Sequence, residues 1–133
     1  MNIVLWVFQV LFAATFFAHG WLFLWPPPEV AVQMNASLPR WFQVFLGVAE
    51  ILAAVGLTLP GMTRVMPWLV WWAAAGIMIV MVSATVFHVA RNEMSSAAVT
   101  LLLLAMATFV AYMRLKVLPI RARSAAAHFR RAV

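Results

Sequence analysis

Three side chains able to carry a proton stand inside otherwise apolar runs: His19 in FFAHGW, Glu50 in FLGVAEILAAVGLTLP and His88 in ATVFHVARNE. A carboxylate beside an imidazole forms an acid–base pair whose titration burial can draw toward neutral pH. Glu50 and His88 are therefore the candidate acid, base or proton-relay residues, and His19, Gln43, Glu50, Thr85, His88 and Arg91 form the candidate ligand-binding set. With no cysteine in the chain, disulfides, thiol catalysis and cysteine metal sites are excluded. No glycine-rich phosphate loop, zinc signature, serine elbow or iron–sulfur pattern is present. No metal site is expected; the weaker alternative is a b-type haem ligated by His19 and His88, two imidazoles at comparable depth on facing helices.

What surrounds these residues follows from composition. Of 133 residues 67% are hydrophobic and 9% charged, far from the roughly 25% charged residues of soluble domains. Such a chain cannot cover its own core with polar groups, so lipid covers it. A spanning helix needs about 20 mainly apolar residues, and four segments qualify: about 3–25, stopped at Pro26-Pro27-Pro28; 41–59, closed by Pro60-Gly61; 68–89, with Pro67 at its first turn; and 97–118, preceded by Ser95-Ser96 as a cap and stopped at Pro119. The fold class is an all-α integral membrane protein, a four-transmembrane-helix bundle over 1–118 with a basic cytoplasmic tail at 119–133. The first segment has no basic flank and no A-x-A site, so it reads as a retained helix rather than a signal peptide, and the mature chain as starting at Met1.

Orientation follows the lysines and arginines. Arg64, Arg114, Lys116, Arg121, Arg123, Arg130 and Arg131 fall on the side of the termini, and only Arg40 and Arg91 on the other. The chain is expected N-in and C-in, multi-pass in a bacterial inner membrane. The net charge of +6 thus belongs to a membrane flank, and no nucleic acid is expected as a partner. The tail around Ala125–Arg131 reads either as a basic segment lying on anionic lipid or as a disordered tail.

In the second span Glu50 lies about 14 Å from Trp41, near the bilayer midplane, by the rise of a helix. Gln43, Gly47, Ala54 and Leu57 share its face, a small and polar stripe that turns inward where helices approach closely. Two uses of Glu50 compete there: a protonated acid tying helices by a hydrogen bond, or a titrating group serving a ligand, a proton or a reaction, the usual role of an intramembrane acid. His19 and His88 are its candidate partners. The opposite half offers mainly Gln9, Thr108 and Tyr112, and the methionines and the phenylalanines of the first span read as packing.

These features together resemble the DoxX-like family of small four-helix membrane proteins. The resemblance is carried by Phe16-Phe17-Ala18-His19-Gly20, by Leu38-Pro39-Arg40-Trp41 leading into Gly47-Val48-Ala49-Glu50, by Gly56-Leu57-Thr58-Leu59-Pro60, and by Val86-Phe87-His88 with Arg91-Asn92-Glu93, from about Val4 to Tyr112. Relatives often carry a lysine three residues after the helix-one glycine, where this chain has Phe23, so Glu50 needs another partner. The resemblance implies a four-helix bundle and, through the wider group, membrane subunits of redox enzymes, including a thiosulfate:quinone oxidoreductase. The reading that follows is a membrane subunit or binder of an apolar, quinone-like molecule in a redox or catabolic system, with a redox enzyme or other membrane protein as partner, or a second copy of the chain. A noncatalytic membrane scaffold, or an integral membrane isomerase or hydrolase using the Glu/His pair, are the alternatives.

Overall fold

In lipid every backbone N–H and C=O must be bonded within its own segment, so a long apolar run becomes a helix. The computed structural model describes residues 2–123. Its helices are α1 (Asn2–Leu24), α2 (Pro28–Ser37), α3 (Arg40–Thr63), α4 (Leu69–Ala90) and α5 (Met94–Tyr112), with α5 widening into a π-turn over Met113–Val117. α1, α3, α4 and α5 with its π-turn are long and apolar enough to cross a membrane, so the chain is a multi-pass membrane protein whose described residues form helices and no strand. The expected surface segment around Ala125–Arg131 lies outside the described residues.

Three boundaries depart from the sequence expectation, each for a local reason. The proline run that stops α1 also starts α2: Pro28 takes the first helical position, where a missing N–H costs nothing. α3 continues through Pro60 to Thr63. That proline has no N–H for the Gly56 carbonyl, a loss tolerated in membrane helices packed against neighbours. The helix ends instead where Arg64 adopts the left-handed conformation, φ 57°. α5 begins at Met94, so Ser95 and Ser96 lie inside its first turn, and Glu93 precedes it without a side-chain cap because His88 and Arg91 occupy its carboxylate.

The spans pack as two antiparallel pairs, α1 on α3 and α5 on α4, joined where α3 meets α4. Phe12, Phe16, Leu57, Ile77, Met81 and Val110 fill the core between them. Outward faces carry exposed Leu11, Leu52, Ile79 and Leu102, the lipid-facing side of the bundle. Lipid is as apolar as leucine, so close packing rather than hydrophobicity holds such helices together. α2 lies across one end of the bundle, here called the histidine end. The start of α1, the Arg64 turn and the π-turn share the opposite, arginine end.

Candidate functional site

The stripe read from the sequence is buried: Gln43, Gly47, Glu50, Ala54 and Leu57 all face into the bundle. α1 meets that stripe at Gly20, where neither helix carries a side chain. There Glu50, 3% exposed, is bonded to His19, 53% exposed, with His19 Nδ1 2.7 Å from Glu50 Oε2. The imidazole stands edge-on to Phe23, ring centres 4.9 Å apart, so that ring braces the histidine. A carboxyl beside an imidazole at this distance can hold a proton on either partner.

The two members of the pair open onto different spaces. Glu50 lines an apolar groove of about 530 Å³ between α3 and α4, with Ala53, Gly56, Pro60, Trp72 and Gly76 among its walls. His19 lines a separate cavity of about 270 Å³ under α2, together with Met34, His88, Arg91 and Glu93.

His88 is brought to that same cavity but to a different acid. The sequence reading sets His88 and Glu50 together as acid and base; the structure gives His88 Nδ1 to Glu93 Oε2 at 2.6 Å. The left-handed turn at Asn92 brings Glu93 back toward the last turn of α4, where its N–H reaches the His88 carbonyl. Arg91 Nε donates to Glu93 Oε1 at 2.8 Å, its Nη2 donates to Ser37 Oγ at 3.3 Å, and its guanidinium lies over the Phe87 ring. The Arg91 guanidinium first, and the His88 imidazole second, hold the Glu93 carboxyl below the usual carboxylate range.

Gln43 and Thr85 line neither space. The Gln43 amide donates to Asn35 Oδ1 at 3.0 Å and to the Leu38 carbonyl at 2.8 Å, and accepts from Arg40, tying α2 to the start of α3. Thr85 Oγ1 lies 2.7 Å from the Met81 carbonyl and 2.8 Å from Thr100 Oγ1, a tie between α4 and α5. For a haem between the histidines only the Nε2 atoms are open, since both Nδ1 atoms lie against carboxyl oxygens. Their shared cavity of about 270 Å³ is smaller than the roughly 300–1,000 Å³ that drug-sized ligands occupy.

The arginine end holds a buried polar cluster that the sequence reading misses. Arg114, expected in the basic flank, is buried, and its Nε donates to Gln9 Oε1 at 2.7 Å. Gln9 Nε2 in turn donates to the Leu57 carbonyl, which links α1, α3 and α5. A signal for half of this existed: Leu5, Gln9, Phe12, Phe16 and Gly20 recur at helical spacing, which puts Gln9 on the buried face of α1.

A buried carboxyl bonded to an imidazole amid four apolar helices marks a small multi-pass membrane protein with a polar pair between its spans. The chain belongs to the DoxX-like family, whose model matches residues 7–110. His19, Glu50 and His88 fall within that stretch, and Asn2, Trp6 and Arg114 outside it. No curated protein and no solved structure matches the chain.

Proposed function

We propose that the protein binds an apolar, quinone-like small molecule in the α3–α4 groove, with the molecule's polar head at Glu50. The observation that carries this reading is the His19–Glu50 bond of 2.7 Å, whose two members line different spaces, one apolar and one polar. A volume of about 530 Å³ suits a single ring with its substituents, and one convergent polar group in an apolar wall is how such sites orient a ligand. Trp72 offers an aromatic face, and Leu59 and Pro60 an apolar path along α3. A quinone carbonyl would accept a hydrogen bond from protonated Glu50, and a quinol hydroxyl would donate to its carboxylate. Bound there, such a molecule supplies electron-carrying chemistry. The chain's own part is to orient it and to exchange a proton between Glu50 and His19, which opens toward His88, Glu93 and Arg91.

On this reading the protein is a membrane subunit of a redox or catabolic system in a bacterial inner membrane. Arg64, Lys116, Arg121 and Arg123 at the arginine end, against Arg40 and Arg91 at the histidine end, support cytoplasmic termini. Native mass spectrometry of protein released from mild detergent tests the reading. Wild type should retain an apolar mass beyond phospholipid that Glu50→Gln loses. The contrary result, a Glu50→Gln protein with unchanged bound masses and an unchanged fold, would favour the scaffold, in which the His19–Glu50 bond only fastens α1 to α3.

A further inference from the structure

Arg114, the second buried charge of the bundle, is not among the residues that line the groove and has no part in the proposed binding. Arg114 is 4% exposed. A guanidinium offers five N–H groups. Here Nε is given to Gln9, while Nη1 lies 3.1 Å from Asn2 Oδ1 and 3.5 Å from the Leu118 carbonyl; Nη2 is buried with no partner among the described residues. All three acceptors are neutral, so the positive charge has no counter-ion among them.

The chain has no acidic side chain to spare for it. Of its three, Glu29 and Glu93 belong to the histidine end, and Glu50 is bonded to His19 about two turns of α3 from Leu57, the residue that Gln9 reaches. The surroundings at the arginine end add positive charge instead, through Arg64, Lys116, Arg121 and Arg123. A buried guanidinium left unpaired is strongly unfavourable, and such groups are found paired or at ligand sites.

The shape of the cluster narrows the missing partner. The Trp6 ring covers one face of the guanidinium, 4.7 Å from Cζ, and Gln9 and Asn2 take its Nε and Nη1 hydrogens. What remains are the two hydrogens of Nη2, charge-assisted donors suited to the oxygens of an anion such as phosphate. Beside the guanidinium runs the segment 118–123, which meets it at the Leu118 carbonyl and is fastened by Arg123 N to the Arg64 carbonyl at 3.2 Å and by Ile120 beside Gly61. We propose that Arg114 is the core of a phosphate-class oxyanion site at the arginine end, entered by displacement of this segment. The oxyanion is either the headgroup of an anionic phospholipid or free phosphate.

Full-length protein with 15N-labelled arginine, in nanodiscs of phosphatidylcholine, of phosphatidylcholine with phosphatidylglycerol, or of phosphatidylcholine with added inorganic phosphate after removal of copurified lipid, tests the proposal. The readouts are 31P–15N proximity at Arg114 and the affinity for each anion. Contact with phosphatidylglycerol alone identifies a lipid headgroup, and contact with inorganic phosphate identifies the free anion. Arg114→Gln should lose about tenfold or more in affinity, Arg114→Lys should weaken binding by removing the Nη2 donors, and Arg64→Gln should change it little. If Arg114→Gln does not fold, the wild-type contact decides alone. Absence of any 31P contact at Arg114, or equal affinity in a folded Arg114→Gln, overturns the proposal.

Discussion

Gly20 and Gly47 meet backbone to backbone: a Cβ on Gly20 would stand 2.7 Å from the Gly47 carbonyl oxygen, and a Cβ on Gly47 2.8 Å from that of Gly20. The contact sets the spacing of α1 and α3 one residue from His19 and three from Glu50. In Gly20→Ala the two backbones must separate, since neither carbonyl can rotate away as a side chain would. The variant should lose about 1–3 kcal/mol of stability and the His19–Glu50 bond with it. Detergent unfolding and the 15N shift of His19 Nδ1 check the two effects separately.

Gly76 presents the opposite case. It lines the groove, and a Cβ placed there meets nothing within 4 Å. Gly76→Leu should fill the groove without strain and leave the fold intact. Affinity for a short-chain quinone, measured in nanodiscs, should fall about tenfold or more, the equivalent of roughly 1.4 kcal/mol. An unchanged affinity would place the binding site elsewhere.

The cluster at the α4–α5 turn predicts a pH window. Glu93 has its pKa depressed, so its stabilising contribution is full above the ordinary glutamate value of about 4.3 and is lost only as pH falls through the lower folded value. The turn should therefore hold through pH 4.3 and loosen below it. Because Arg91 is the larger cause, Arg91→Gln should raise the Glu93 pKa more than His88→Gln does. A side-chain carboxyl NMR titration of the three proteins reads this order directly.

At the arginine end, Gln9 accepts from a charged donor and donates to the Leu57 carbonyl. Gln9→Leu keeps the size but leaves the Arg114 Nε without its acceptor. Loss of a hydrogen bond to a buried charge should cost about 1.5–3 kcal/mol, seen as a lower unfolding midpoint. A variant as stable as wild type would mean that water replaces the amide.

The four spans are legible in the sequence because lipid leaves long apolar runs one backbone solution. So is the inward turn of Glu50, since Gln43, Gly47, Ala54 and Leu57 share its face. The choice of His19 over His88 as its partner is not legible: it depends on how closely Gly20 lets α1 approach α3 and on the left-handed turn at Asn92 that returns Glu93 to His88. α2 hides behind three prolines, of which only Pro28 serves as a helix start. Arg114 reads as an ordinary membrane-flank arginine until the π-turn and the 118–123 segment are seen to enclose it.

Photolabelling of the membrane-embedded protein with an azidoquinone, followed by peptide mapping, locates the ligand. Labels should concentrate on the α3–α4 groove, at Gly56–Pro60 and Trp72–Gly76, and be suppressed by unlabelled quinone and by Gly76→Leu. Labels spread evenly over lipid-facing residues such as Leu11, Leu52 and Leu102, or undiminished by the unlabelled competitor, would contradict a binding groove at Glu50.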